Sequence, residues 1–489
     1  MANYNKFEFR NPYQTRLADF VNEGAIVCIV RCIGSACRDL RSAYIEIQDD
    51  LPEGWSWNSA LGMIGLGRRD RQRGISDPEV AKAMFAKLPE PEAAVLLATY
   101  DFTHTNKLFC LGLVTLAAEK ALPPTPTPTP LPTRSPSTPP LPPLPPSPSQ
   151  SAASEAPFAS FISLTSYLLQ HAPSSQRTAL YSHLSLTILR LVVEDTSLCR
   201  RLCSSDASNA MMVRMCRQRP PHLPLVRGAR APAAAVLDAM VAGIDHNLRR
   251  RLDVGLYTLC VGIMLRIVSY LSRSRTRLAY HWNELFRSLL TLIKFLATYA
   301  TDLKSATTTT TMTSSSSSSS SQIDTLIGHV VNILALSLSA GEVFLPSAAE
   351  YDDLFYKVVE AGDTLVKLKT VYGLDSKRGS TTTATAINNN NSSSSSSSSS
   401  IDTLLSVSAH YKQQLLGGGD ESQKKGSSSV KSLTSTRVAE VIKKGYESLS
   451  IQTKEGLDSW EKFREADERS LIKIVARTAV EDVKLLSKG

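Results

Sequence analysis

The chain has 489 residues, 42% of them apolar and 20% charged, the balance of an ordinary soluble protein with room for more than one core. Its eight cysteines are scattered, and MANYNKFEFR at the start has charges but no apolar stretch behind them, so no secretory signal is visible and reduced thiols in the cytosol are expected. The net charge of +9 is local: from Arg200 to Arg287 there are fifteen arginines, no lysine and five acids, an excess of +10 that suits an acidic partner.

From Pro12 to Asp50 apolar residues keep helical spacing, with Gly24 as the expected break between two helices. A loop follows, with WSW at Trp55–Trp57 and glycines at Gly62, Gly65 and Gly67. Gly65-Leu-Gly67 lacks both the third glycine and the preceding strand of a dinucleotide fingerprint. Ser76 followed by Glu79 reads as a capping box for a helix over Val80–Leu88, and a helix pair is expected across Glu92–Glu119. Residues 1–120 thus form a first, all-helical armadillo-like segment.

Residues 121–157 change regime. Fourteen of the 26 prolines fall between Leu122 and Gln150, a composition that gives a semi-rigid polyproline II linker. The PPLPPLPP run lacks the flanking arginine that orients an SH3-type ligand. Residues 158–489 form the second helical domain, with a loop over Arg217–Pro232 and solvated insertions at about 304–322, 376–401 and 417–433, where serine, threonine, asparagine and glycine dominate.

The richest stretch is Ile244–Leu296, which reads as two amphipathic helices. Leu248, Leu252, Leu256, Leu259, Ile263, Ile267 and Leu271 line one stripe; Leu278, Trp282, Leu285, Phe286, Leu289, Ile293 and Leu296 line the other. Arg249, Arg250 and Arg251 near the start of the first helix oppose its dipole unless Asp245 and Asp253, each four residues from Arg249, compensate. Arg273, Arg275 and Arg277 sit at the turn between the helices. These six arginines are the candidate partner-binding residues.

The uncharged run Thr325–Gly341, 17 residues, falls just short of the roughly 20 a bilayer span requires, and a buried solenoid helix accounts for it as well. Over Ser435–Lys488 three antiparallel helices are expected to close the array, on stripes through Val438 to Leu449, Leu457 to Phe463 and Leu471 to Val483. No nucleotide-binding or serine-hydrolase motif occurs. His281 and Glu284 lie one turn apart, but two ligands are too few for zinc. Cys28, Cys32, Cys37, Cys199 and Cys203 read as core hydrophobes, and Asp49-Asp50 as helix-terminus acids. The expectation is an all-α, armadillo-like α-solenoid with no catalytic residues, metal or cofactor. A nucleic-acid-binding repeat using the same arginines is the alternative, although no fixed repeat period supports it.

Four blocks carry a family resemblance: DHNLRRRLDVGLYTLCV, RTRLAYHWNELFRSLLTLIKFL, EVFLPSAAEYDDLFYKVVEAG and VAEVIKKGYESLSIQTKEGLDSWEKF. In this order they resemble the C-terminal domain of the armadillo-like helical domain-containing protein 3 family, fungal members included. NPYQTRLADF and EAAVLLATYDFTHTNKLFC resemble the segment before it. The resemblance implies a non-catalytic scaffold, cytosolic and peripheral to Golgi membranes, that serves Golgi maintenance and secretion through phosphatidylinositol 4-kinase beta or an Arf guanine-nucleotide exchange factor; an anionic membrane surface is a further partner that the basic stretch itself suits. It assigns no binding residue, so the arginines rest on their own chemistry.

Overall fold

The computed structural model describes residues 12–50, 77–118, 155–226, 228–248, 252–303, 318–374, 392–417, 457–458 and 460–488. Among them every extended regular element is helical, and an isolated antiparallel bridge joins Met211 to Arg230.

The N-terminal helices are α1 (Pro12–Ala18), α2 (Glu23–Ile47), α3 (Pro78–Phe85), α4 (Val95–Thr105) and α5 (Lys107–Thr115). The first break falls over residues 19–22, just before Gly24, because Asn22 caps α2 and accepts from the Ala25 N–H at 3.0 Å. Along α2, Ile26, Val30, Ile33, Cys37, Leu40, Tyr44 and Ile47 are buried at alternating spacings of four and three. The cap of α3 is Asp77 rather than Ser76: its carboxylate accepts from Glu79 N–H at 2.9 Å, and Pro78, which has no N–H to satisfy, takes the first helical position. Ser76 and the WSW loop lie outside the described residues.

The remaining helices are α6 (Pro157–His171), α7 (Gln176–Glu194), α8 (Thr196–Cys203), α9 (Pro232–Asn247), α10 (Val254–Ser274), α11 (Trp282–Thr298), α12 (Ser318–Phe344), α13 (Ala348–Glu360), α14 (Gly362–Tyr372), α15 (Ser392–Gly417) and α16 (Arg469–Leu486). They stack in two layers. One runs α2, α6, α9, α11, α14; the other runs α4, α7, α10, α12, α15, with each helix packed on its neighbours in the layer and most on a partner across it. This is the armadillo-like arrangement expected. A single hydrophobic cluster extends from Ile26 to Val475, so residues 12–118 share a core with the chain beyond the proline-rich segment. Residues 119–154, with that segment, lie outside the described residues.

The junction of the two parts is close. A Cβ on Gly34 of α2 would stand 2.8 Å from Pro157 Cα of α6, whereas one on Gly24 would meet nothing nearer than Asn22 Oδ1 at 3.6 Å. Gly34→Val should therefore cost about 1–3 kcal/mol in denaturant unfolding through forced separation of α2 from α6. Gly24→Ala should cost less than about 0.5 kcal/mol, the range of surface changes. Equal losses at both sites would contradict a close contact at Gly34.

Several boundaries differ from expectation. The stripe read as one helix from Leu248 is split: α9 ends at Asn247 and α10 starts at Val254, because Asp253 caps it and accepts from Leu256 N–H at 3.1 Å. Leu248 and Leu252 lie in the connection. Helices α12 and α15 begin inside serine tracts at Ser318 and Ser392, where solvated insertions were expected. A packed helix has already met the cost of nucleation and extends into serine at a few tenths of a kcal/mol or so per residue. Ser400 is buried and donates to Asn332 Oδ1 at 2.7 Å.

The apolar run at 325–341 belongs to a longer element. Gln322–Phe344 (23 residues) and Val254–Ser274 (21 residues) are both long and apolar enough to cross a membrane by length and composition, and the second was not foreseen. In the fold the two pack on one another in the second layer, each with 72% of its apolar window buried. Midway along α10, Arg266 is ion-paired to Glu194 of α7. In this structure both are interior helices of the stack.

Candidate partner-binding surface

Arg249, Arg250 and Arg251 lie outside the described residues. The acids expected to compensate them each have partners among the described residues. Asp245 accepts from Ser288 Oγ at 2.7 Å, while Asp253, besides capping α10, sits 2.9 Å from His183 Nε2. Burial raises the Asp245 pKa; at Asp253 burial pushes the same way but the His183 contact and the cap bonds outweigh it and hold the carboxylate low.

Arg273, Arg275 and Arg277 are all exposed at the end of α10. Arg275 is the C-cap in the left-handed region, φ 51°, and Thr276 N–H returns to Leu271 C=O at 3.1 Å. A non-glycine residue there costs about 1–2 kcal/mol. The cation gains from the negative end of the helix dipole, and its side chain meets no carboxylate among the described residues. Arg277 donates to Glu342 C=O at 3.3 Å, joining the ends of α10 and α12. Arg273 donates to the Asp458 carboxylate and to its C=O at 3.1 Å, so its charge is spent within the chain.

Asp458 belongs to a tail that crosses the second layer back toward the N-terminal end. Leu457, Asp458 and Trp460–Glu468 form turns and irregular chain where a helix was expected, and α16 follows. Trp460 lies between two guanidinium groups, 5.4 Å from Arg266 and 5.5 Å from Arg273. Glu194 binds the next turn: its Oε1 accepts from Arg190 Nε at 2.9 Å and Arg266 Nη2 at 2.6 Å, and its Oε2 accepts from Phe463 N–H at 3.0 Å. Phe463 packs under Arg190 and edge-on to Tyr100 and His104. Further on, Asp482 takes Arg177 through two bonds of 2.7 and 2.8 Å and the Tyr181 hydroxyl at 2.5 Å. The tail thus closes over α4, α7 and α10 rather than capping the C-terminal end of the stack. Residues 418–456, with the first stripe expected there, lie outside the described residues.

Arg177, Arg190 and Arg266 were not singled out in the sequence. Arg177 meets Asp482 305 residues away and Arg266 meets Glu194 72 residues away, while the local signals, the four-residue spacing of Arg190 and Glu194 and the alternation of acids and aromatics in DSWEKF, do not tell a buried pair from a solvated one.

A second polar cluster ties the loop at 204–231 to α6. Asp50 stands just past the end of α2, as expected of a helix-terminus acid, and is buried: it accepts from the Tyr167 hydroxyl and from Arg214. Gln170 Oε1 accepts from Gln218 N–H at 3.1 Å, and Gln218 Oε1 faces His171 Nε2 at 2.7 Å. His281 pairs with Asp238 at 2.8 Å while Glu284 pairs with Arg287, so the two do not converge. Among the described residues no group of three or more His, Cys, Asp or Glu side chains is placed to hold a metal. Cys28 and Cys32 are exposed on the outer side of α2, against the expectation of core positions, while Cys37, Cys199 and Cys203 are buried. Burial pushes the Cys37 thiol up to about 12, out of the nucleophilic range.

Two layers of stacked helices, with polar groups consumed in holding loop and tail to the stack, define an armadillo-like helical protein. Residues 230–485 match the family model described as armadillo-like helical domain-containing protein 3, C-terminal, and the chain belongs to that family. It is 26% identical over 356 residues to a Schizosaccharomyces pombe protein named as a UPF0588 membrane protein, covering 73% of this chain and 50% of that one. It is 24% identical to armadillo-like helical domain-containing protein 3 of Danio rerio over 479 residues and of Homo sapiens over 481, covering 95% of this chain and 63% of each relative. The chain thus spans between half and two thirds of the length of these relatives. No solved structure matches.

Proposed function

We propose that the chain is a non-enzymatic helical scaffold in Golgi maintenance and secretory traffic, acting by binding a phosphatidylinositol 4-kinase beta-like enzyme or an Arf exchange factor. The observation that carries this reading is the family membership of residues 230–485. Two others support it. The repeat stack offers an extended surface of the kind that binding proteins use, and the S. pombe relative is named a membrane protein, in keeping with a peripheral place at a membrane.

The arginine turn is the contact we assign to the partner. Arg275 and Arg277 hold their charges at the surface, and Arg249, Arg250 and Arg251 add three more in the same basic stretch. An acidic partner surface would be drawn by this field and oriented by it. In an affinity pull-down from cells, changing Arg249, Arg250, Arg251, Arg275 and Arg277 to Glu should reduce recovery of the lipid kinase or exchange factor at least about tenfold, or ~1.4 kcal/mol, with helical circular dichroism unchanged. Arg273 is left intact because it holds the tail. Unchanged recovery would remove these arginines from the interface, and recovery of RNA-associated proteins alone would replace the scaffold reading with nucleic-acid binding.

A further inference from the structure

Helix α16 is held to the body by one face. Val475, Ala479 and Asp482 are buried, and the bonds from Arg177 and Tyr181 to the Asp482 carboxylate fix the rotation of the helix about its axis. What it turns outward is therefore specified by the fold. On that side Ile474, Val480, Val483 and Leu485 are 44%, 53%, 55% and 60% exposed, and Leu486 at the end is 45% exposed. Five of the fifteen large hydrophobic residues exposed among the described residues lie on this one helix.

Between the aliphatic side chains runs a basic ridge. Lys473, Arg477 and Lys484 share the outward arc, and Lys488 extends it past the last turn. None of the four meets a carboxylate within salt-bridge distance among the described residues, and Glu481 is the sole exposed acid of the helix, giving the face a net charge of +3. An ordinary solvated face would carry neither so many aliphatic side chains nor so unbalanced a charge.

We infer that α16 is a membrane-surface helix, which lays this face on an anionic lipid bilayer. The aliphatic residues enter the boundary between headgroups and acyl chains, and the bases meet lipid phosphates and carboxylates. A protein partner fits the composition less well: the face has no Trp, Tyr or Phe to anchor an interface, and the apolar residues flank a charged ridge instead of gathering at a centre. The inference deepens the proposed function by naming the surface on which the scaffold sits. It rests on that reading only for which membrane this is, because the lipid contact needs no protein partner.

The test is co-sedimentation of the purified full chain with phosphatidylcholine vesicles, with and without phosphatidylserine. Binding should require phosphatidylserine and weaken as salt is raised. Lys473→Glu, Arg477→Glu and Lys484→Glu together should weaken it about 100-fold or more, the effect of three bases near an anionic surface. A second variant, Val480→Ser, Val483→Ser and Leu485→Ser, should lose binding while keeping every base. All six positions are exposed, so circular dichroism and melting should match the wild type. Absence of wild-type binding to phosphatidylserine vesicles, or wild-type binding by both variants, would overturn the inference. A wild type that captures the lipid kinase or exchange factor but does not bind vesicles would sink the lipid contact and leave the scaffold standing. Vesicle binding without partner capture would do the reverse.

Discussion

Replacing Glu194 by alanine is expected to destabilise the fold by about 3–5 kcal/mol, the range for breaking a buried ion pair on one side only. Arg266 lies midway along α10, 3% exposed, with Nη1 donating to Gly262 C=O at 2.8 Å and its remaining donors turned to Glu194 and to Glu461 C=O. Burial draws its pKa down to about 10 against the opposing pull of Glu194, so it is charged at pH 7. Without the carboxylate that charge stays in the second layer with no counter-ion. Unfolding in guanidinium at pH 7 reads the loss directly. A double variant, Glu194→Gln with Arg266→Met, should recover most of it, because it removes the deeply buried charge and leaves Arg190, at the edge of the site, with Glu468 at 4.0 Å. The single change also removes the acceptor of the Phe463 N–H, so a protease should cut within residues 457–468 faster than in the wild type. A single-variant loss below about 1 kcal/mol, the scale of a surface pair, would mean that the ion pair is not what holds layer and tail together.

The helices and their stacking were legible because their signal is local. The buried stripe of α2 and the pairing of α4 with α5 follow from apolar spacing alone. Caps came within a residue: Pro78 moved the α3 cap from Ser76 to Asp77, and the dual use of Asp253, as cap and as partner of His183, broke the stripe that periodicity joined. What could not be read was which charged residue lies inside. Period assigns a face but not what stands opposite it, so the position of Asp50 at a helix end was legible and its burial was not, and Arg266 passed for one of many arginines. The same limit put Cys28 and Cys32 in the core, although α2 turns both outward. Of the candidate site, Arg275 and Arg277 are exposed as required, while Arg273 is engaged by an acid 185 residues away that no spacing rule connects to it.

Acidification from pH 7 to 5 is expected to remove about 6 kcal/mol of stability, roughly 2 from each of three buried histidines. Burial, as the largest cause, pulls His171, His246 and His329 down to about 4, with Arg219 adding to it at the first two and Arg266 at the third. In the unfolded chain they titrate near 6.5, so below that pH the unfolded state binds more protons and stability falls until the folded values are reached. At His171 the Gln218 acceptor favours the proton and burial overrides it, whereas at His246 the bonding itself resists. Gln218 Nε2 donates to Tyr44 and Gln48 C=O, which turns its Oε1 to His171; Gln170 Oε1 accepts from Gln218 N–H, which turns its Nε2 to His246 Nε2 at 2.8 Å. His246 must therefore accept at Nε2, and a proton there would set donor against donor beside Arg219. Buried acids such as Asp245, whose pKa is raised, contribute in the opposite sense, but they start to titrate from the normal carboxylate range and count for less above pH 5. Guanidinium midpoints at pH 7, 6 and 5 should fall steadily. In His246→Gln the slope against pH should drop by close to one proton, even though the variant begins about 1 kcal/mol less stable from an altered hydrogen bond. A midpoint that does not move between pH 7 and 5 would mean that the three rings take up protons in place, and a slope unchanged in His246→Gln would exclude His246 from the effect.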